Sequence, residues 1–306
     1  MKNKQIILFG ANGFLGKNLA QILPKGTLMP SKQKVDLRNF IQTKNFLKKI
    51  KKNNEIIIIN CACHVGSVHY GSKYLADIIY DNTIISLNLY KACSELKNKV
   101  KIINPFANCS YPANSNIQNE KNWLLGNVHE SVISYGSYKR FLYALSKAFY
   151  KQYHIISINW MFGGGFGPNA SKNENKEHAL NGIILRMIKA KKENAKNFVV
   201  WGSGKPIREW VYIKDMAKIL KQSIHKTEQI YPINFGQKKG YSIKKTAKII
   251  KKILKYNGNL VFDKTKKDGD RKKVLDNKNF KKKIKNFKFT PFEKGVMETI
   301  KFYLKN

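Results

Sequence analysis

The sequence is poor in acidic residues and, among its cations, poor in arginine. Its 306 residues include 19 Asp and Glu against 58 Lys and Arg, a formal net charge of +39. Five of the cations are Arg, so 58 − 5 = 53 are Lys. Proteins that bind nucleic acids rely on Arg for bidentate and stacked contacts. Because the Lys are spread along the whole chain, we interpret the charge as compositional and predict no nucleic-acid partner.

Cysteine and long apolar runs are also scarce. Four Cys in a chain of this length do not indicate a disulfide framework. The spacing of Cys61 and Cys63 is poor for zinc, and we predict no metal site. No apolar run reaches the length of a membrane span, and the N-terminus does not read as a signal peptide. We therefore expect a cytoplasmic protein without a membrane partner.

What the sequence does contain is an alternation of strand and helix patterns. Apolar runs at residues 5–9 and 55–60 are typical of strands buried on both faces. Helical patterns cover residues 77–96 and 135–153, and each is followed by another apolar run. This order predicts an α/β fold with a Rossmann-type, doubly wound parallel sheet.

The pattern changes after Trp160. Residues 161–175 are rich in Gly and Asn and are expected to form a loop, and shorter helices and strands follow. We expect a smaller α/β domain interleaved with the first. The predicted division gives residues 1–162 and about 211–236 to the first domain, and about 163–210 and 237–306 to the second.

A glycine-rich segment runs from residue 10 to residue 16, between the first strand and a helix. Gly10 would allow a tight turn, Gly13 a close approach to a pyrophosphate, and Gly16 close packing of helix on strand. The pyrophosphate would then lie on the N–H groups that begin the helix. The segment predicts dinucleotide binding by Gly10, Asn12, Gly13, Phe14, Leu15 and Gly16. The alternative is a turn that contains three glycines by coincidence.

The residues at the end of the second predicted strand, which lies near residue 28, indicate which cofactor is bound. An acidic residue there would bind the ribose 2′-OH of NAD. This chain has Ser31 and Lys32 instead, and no carboxylate before Asp36. A hydroxyl and a cation suit a 2′-phosphate, so NADPH is favoured and NAD is less expected.

Tyr135 and Lys139 stand four residues apart at the start of a predicted helix and so share one face. A nearby cation lowers the pKa of a phenol, which would make Tyr135 able to exchange a proton near neutral pH. The spacing alone is uninformative, because it recurs in Tyr143/Lys147 and Tyr241/Lys245. The position after a strand and a loop selects Tyr135 and Lys139 as the proton-transfer pair.

Further motifs follow in a fixed order: Cys109-Ser110-Tyr111-Pro112, Gly167-Pro168 with His178 after nine residues, Trp201-Gly202-Ser203-Gly204, Arg208-Glu209-Trp210 and Asp215-Met216-Ala217. With the glycine segment and the Tyr135–Lys139 pair, they resemble the extended short-chain dehydrogenase/reductase family, also called the NAD-dependent epimerase/dehydratase family. Within it the chain is most similar to the GDP-L-fucose synthase group, nearly from end to end.

The resemblance implies an NADPH-dependent 3,5-epimerase and 4-reductase that acts on a GDP-4-keto sugar. It implies that Tyr135 protonates the C4 oxygen, while Lys139 tunes Tyr135 and binds the nicotinamide ribose. Cys109 and His178 would be base and acid in the epimerisation. Ala62 would contact the cofactor.

The resemblance also assigns the substrate. The second domain would bind the sugar nucleotide through Arg186, Trp201, Arg208 and Ser110, with the two Arg on the diphosphate. The family further implies a homodimer formed through the long helices.

Two departures leave alternatives open. The family's catalytic Ser or Thr is replaced by Ala107, and a substrate-contacting segment is replaced by glycines 163–165. The first alternative is a C4-reductase alone, acting on a GDP-4-keto-6-deoxy hexose or heptose. Others are an NAD-retaining sugar-nucleotide 4-epimerase or dehydratase, and a non-catalytic protein that binds a dinucleotide or nucleic acid.

Overall fold

The computed structural model describes residues 4–52, 54–113, 115, 117–173, 177, 179–266 and 268–305. Its strands are β1 (Lys4–Phe9), β2 (Glu55–Asn60), β3 (Val100–Ala107), β4 (Ile156–Phe162), β5 (Gly164–Phe166), β6 (Asn197–Trp201), β7 (Ile207–Arg208), β8 (Trp210–Tyr212), β9 (Gln229–Phe235), β10 (Tyr241–Ser242), β11 (Asn259–Asp263) and β12 (Lys272–Lys273). Its helices are α1 (Phe14–Ala20), α2 (Phe40–Lys48), α3 (Val68–Lys73), α4 (Leu75–Ser94), α5 (Ile133–Tyr153), α6 (Ala179–Lys192), α7 (Ile213–Gln222), α8 (Ile243–Leu254), α9 (Lys278–Lys283) and α10 (Phe292–Lys305).

The main sheet is parallel and has the order β1-β2-β3-β4-β9. Strand β2 explains why it is covered on both faces, since successive side chains point to opposite sides. Ile56 and Ile58 belong to the core that includes residues of α4 and α5. Ile57 and Ile59 belong to the core that includes residues of α1 and α7. The predicted doubly wound Rossmann-type fold is therefore confirmed.

The second strand predicted near residue 28 is reduced to one bridge. Leu28 pairs with Ile7 of β1 in the parallel sense, and both backbone hydrogen bonds between the segments measure 2.9 Å. Pro30 follows closely, and its lack of an N–H ends the pairing. Strand β1 thus lies between this bridge and β2. From the carboxyl end of β1 the chain runs first to the bridge on one side and later to β2 on the other. In such sheets that point is where ligands bind.

A second core is built from β5, β6, β8, β10, α6, α8 and α10. It includes part of the stretch that the sequence predicted to be a loop, residues 161–175. That expectation was wrong for residues 161–162 and 164–166, because β4 continues to Phe162 and β5 pairs with β8. A Cβ atom on Gly164 would lie 3.0 Å from the ring of Trp210. The glycines here allow close packing and do not indicate a loop.

In the part of the chain that the structure describes, no helix combines the length and the apolar character that a membrane crossing requires.

Candidate active site

The glycine segment forms a tight turn against the end of β2. Gly10 has φ +76°, and a Cβ there would overlap the backbone of Cys61. A Cβ on Gly16 would overlap the carbonyl oxygen of Gly10. The N–H of Gly13 closes the turn by donating to the Gly10 carbonyl at 3.0 Å. The tight turn predicted for Gly10 is therefore present, and the approach of Gly13 to a pyrophosphate stays a prediction.

A cavity of about 590 Å³ opens above this turn, at the carboxyl ends of β1 and β2. It is lined by six of the predicted cofactor residues, namely Gly10, Asn12, Gly13, Ser31, Lys32 and Ala62. Phe14 and Leu15 pack instead on the core beneath α1. A cavity of this size, lined by a glycine turn and by Lys32, suits a phosphorylated dinucleotide.

An ion-pair network that the sequence did not reveal lies on the wall of this cavity. The Arg38 guanidinium lies 2.8 Å from Asp36 Oδ2 and 3.4 Å from Asp81 Oδ1. The hydrogen bond to Arg38 lowers the pKa of Asp36. Asp81 also accepts from His64 Nδ1 at 2.9 Å, and His64 Nε2 lies 2.8 Å from the Tyr70 hydroxyl. Arg38 offsets one of these two negative charges, and Lys32, which also lines the cavity, offsets the other.

Tyr135 and Lys139 lie on one face of α5, as the spacing predicted. Lys139 Nζ lies 5.1 Å from the Tyr135 ring centroid and donates to the Pro105 carbonyl at 2.8 Å. The expected direction of the Tyr135 pKa was wrong. Burial, reinforced by neighbouring thiols, raises this pKa well above its usual value, and burial also lowers the pKa of Lys139. In the resting site the Tyr135 phenol is therefore held in its protonated form.

Cys63, which follows β2, provides a thiol beside Tyr135 of the predicted proton-transfer pair. Its Sγ lies 3.6 Å from the Tyr135 hydroxyl and 2.9 Å from Asn82 Oδ1. Sequence reasoning had considered this cysteine only as a possible metal ligand. Its partner Tyr135 is 72 residues away in the chain, so no local pattern could reveal the contact.

Cys109 is half-buried in a short 3-10 helix that follows β3, Asn108–Ser110. Burial raises the pKa of its thiol, while the charges of Lys273 and Lys139 act to lower it. Lys273 is a site residue that the sequence analysis missed. It lies on β12, far from Cys109 in sequence. His178, the expected acid for epimerisation, lies outside the described residues.

The two polar neighbours of Ala107 are engaged within the protein. Ser110 is fully buried, and its hydroxyl donates to the Ala107 carbonyl at 2.7 Å and accepts from the Trp123 indole at 2.9 Å. Asn108 donates to Gln118 at 3.1 Å. Ser110, which was expected to contact substrate, is therefore occupied by internal hydrogen bonds.

The remaining predicted substrate residues are two arginines, Arg186 and Arg208, and Trp201. The guanidinium of Arg186 stacks on Trp201, 4.6 Å from the ring centroid, and its Nη1 lies 2.6 Å from Glu177 Oε1. Arg208 is half-buried and donates to the carbonyl of its neighbour Ile207 at 2.9 Å.

Arg208 also belongs to a small charged group at the edge of the second core. The charges of Asp270 and Lys273 both act on it. Lys273 Nζ lies 4.0 Å from Asp270, and its own pKa is lowered by burial. Two cations and a carboxylate are thus grouped in this part of the structure.

Comparison with known proteins agrees with this geometry. The model of the NAD dependent epimerase/dehydratase family matches residues 6–236. The chain therefore belongs to this family of dinucleotide-dependent enzymes, and the expected membership is confirmed.

Individual relatives extend the similarity over the whole chain. It is 24% identical to a GDP-L-fucose synthase of Dictyostelium discoideum, covering 99% of this chain and 96% of the relative. It is 28% identical to a GDP-L-colitose synthase of Yersinia pseudotuberculosis, covering 98% of each. A solved GDP-L-fucose synthetase of Naegleria fowleri bound to NADP superimposes with a TM-score of 0.87 at 26% identity, covering 100% of this chain and 94% of that one.

Proposed function

We propose that the protein is an NADPH-dependent enzyme that epimerises a GDP-linked 4-keto sugar at C3 and C5 and reduces its C4 ketone. The observation that carries the proposal is the position of Tyr135. It shares a helix face with Lys139 and contacts Cys63, which lines the dinucleotide cavity. The names of the relatives supply the class of substrate.

The cavity residues fit NADPH. The backbone of the glycine turn would receive the pyrophosphate, and Ser31 and Lys32 would bind the 2′-phosphate. NAD is less suited, because the nearest carboxylate, Asp36, is already bound by Arg38. When bound, NADPH supplies the hydride that reduces C4.

Tyr135 would give its proton to the C4 oxygen as negative charge develops there. Its raised pKa keeps the phenol protonated until that charge appears. The ammonium group of Lys139 lies close to the ring and would stabilise the phenolate that remains.

For epimerisation, Cys109 as thiolate would remove the proton from the carbon beside the ketone, and His178 would return one from the opposite face. Lys273 and Arg208 would bind the diphosphate, and Arg186 with Trp201 would border the nucleotide.

One observation favours a second candidate, a reductase without epimerase activity. Burial raises the pKa of Cys109 and so disfavours the thiolate.

The test is NADPH oxidation in the presence of GDP-4-keto-6-deoxymannose in deuterated water. The proposed function predicts oxidation with deuterium at C3 and C5, and the second candidate predicts oxidation without it. Tyr135→Phe should lower kcat by about 10²–10⁴-fold. Tyr143→Phe, from a pair with the same spacing, is the matched control and should retain activity. The absence of NADPH oxidation with both hexose and heptose forms of the GDP-4-keto sugar would overturn the proposal.

We also propose a cytoplasmic homodimer formed through α4 and α5. These helices expose apolar side chains, among them Ile79, Leu87 and Ile133, and Tyr80 is 69% exposed. Apolar surface of this kind is typical of an interface between subunits. Light scattering should give twice the chain mass of 35.3 kDa. Tyr80→Glu should shift the mass towards a single chain.

A further inference from the structure

We propose that Cys63 is a positioning residue that accepts the hydrogen bond of the Tyr135 hydroxyl and orients its proton in the resting enzyme. The inference rests on the proposed function, in which Tyr135 is the proton donor. Its basis is the contact of 3.6 Å between Cys63 Sγ and the Tyr135 oxygen. Cys63 lies in the segment that follows β2, and Tyr135 lies in α5.

The direction of this hydrogen bond is fixed by Asn82, which is fully buried in α4. Its Nδ2 donates to the carbonyls of His64 at 2.8 Å and Ile78 at 2.7 Å. Its Oδ1 accepts from the His64 N–H at 2.8 Å and therefore faces Cys63 as an acceptor. The single thiol proton of Cys63 is thus directed to Asn82, with 2.9 Å between Sγ and Oδ1.

Since its proton is committed, the sulfur presents a lone pair to Tyr135, and the phenol must be the donor. The other titratable groups around the phenol are Lys139 and Tyr138 on its own helix and Cys109 after β3. Burial raises the pKa of Cys63 itself, so its thiol stays neutral. A hydrogen bond that uses the phenolic proton stabilises the protonated form, as reduction requires.

Ala107 and the polar residues that follow it do not perform this task. Ala107 has a methyl group, Asn108 is bound to Gln118, and the Ser110 hydroxyl is bound to the Ala107 carbonyl and Trp123. Among the described residues, Cys63 is the one side chain that hydrogen-bonds the Tyr135 hydroxyl. The thiol therefore determines where the phenolic proton points before substrate binds.

The test compares Cys63→Ala and Cys63→Ser with the parent, each in complex with NADP⁺. The Tyr135 phenol is titrated by NMR with ring-labelled tyrosine, and its signal is assigned by its loss in Tyr135→Phe. Alanine should lower the phenol pKa by about half a unit to one unit, because the acceptor is gone. Serine can donate to Asn82 and accept from Tyr135, so it should restore the parental value.

The kinetic readout is the pH dependence of kcat for NADPH oxidation. Alanine should lower kcat about two- to tenfold and move its basic limb to lower pH, and serine should reverse both effects. Cys93→Ala removes a thiol that is 2% exposed in the core, and it should leave both readouts unchanged.

Two results would overturn the inference. One is a Tyr135 titration in Cys63→Ala that matches the parent. The other is an alanine variant whose NADPH dissociation constant changes while the titration does not, since Cys63 would then only shape the cavity. Failure of the proposed function is a separate result, because a parent that oxidises no NADPH still gives a titration.

Discussion

The carboxylate of Asp36 is bound by the guanidinium of Arg38, with 2.8 Å between Oδ2 and Nη2. Both residues line the cofactor cavity, and the same guanidinium also reaches Asp81. Without this cation, two uncompensated carboxylates would repel a phosphorylated cofactor. Arg38 is therefore expected to favour NADPH binding by offsetting the negative charge of these carboxylates.

Arg38→Gln should weaken NADPH binding about fivefold, because Asp36 and Asp81 are then unmasked near a phosphate. The effect should grow at low ionic strength and be smaller for NADH, which lacks the 2′-phosphate. Fluorescence titration with both cofactors measures it. Lys34→Gln is the control, since Lys34 is an exposed cation outside the cavity lining. Equal losses for NADH and NADPH would contradict this account.

Lys273→Met should slow epimerisation more than reduction. The charge of Lys273 favours the Cys109 thiolate, so its removal raises the thiol pKa further. Below that pKa the thiolate fraction rises with pH, so deuterium exchange at C3 and C5 should increase with pH in the parent. In the variant the increase should begin at higher pH, and exchange at neutral pH should fall about tenfold. Lys272→Met, next to it on β12, is the comparison. An exchange profile that is the same in parent and variant would show that the charge of Lys273 does not affect the Cys109 thiol.

Glu209 should make the stability of the protein depend on pH. It is 1% exposed and accepts from the N–H groups of Leu275, Gln237 and Lys238. Burial raises its pKa to about 7, from 4.5 in the unfolded chain. The folded state then binds a proton that the unfolded state releases, so this residue's contribution decreases as pH rises from 4.5 to about 7.

Glu209→Gln, which mimics the protonated acid, should lack this decrease. The difference between the urea midpoints of parent and variant should therefore change across that pH window and be constant above it. Contributions from the other acids cancel in the difference. A difference that does not vary with pH would mean that the three N–H donors keep the carboxylate charged throughout.

Gly16→Ala should disrupt the cofactor turn, because the added methyl overlaps the Gly10 carbonyl. We expect a loss of about 1–3 kcal/mol in the free energy of unfolding and a weaker NADPH complex. Gly71→Ala is the control, since a Cβ there meets no atom within 4 Å. Urea unfolding with and without NADPH measures both effects. Equal stability of the two variants would show that the turn can relax.

The features that could be predicted from sequence are those encoded locally. Strand β2 is a continuous β-branched run, and the glycine turn has a spacing set by the backbone itself. The short strands β7, β10 and β12 have two residues each, too few for any periodicity. They form because segments far apart in the chain pair with each other, β7 with both β10 and β12.

The electrostatics of the site could not be predicted for a related reason. The sequence places Lys139 one turn from Tyr135, which argues for a lowered phenol pKa. The structure adds burial of the phenol and the thiol of Cys63, both supplied by remote segments, and these reverse the direction. In the same way Lys273 acquires its role only when β12 approaches Cys109.

The position of β9 has a consequence for how the chain reaches its folded state. This strand completes the main sheet beside β4, yet the ribosome delivers it after β5–β8, α6 and α7. Contacts between distant segments form slowly, and the sheet edge at β4 stays open until β9 arrives. The two cores are therefore expected to form at the same time. Nascent chains that end before residue 229 would then still expose the edge of β4 and be candidates for chaperone binding.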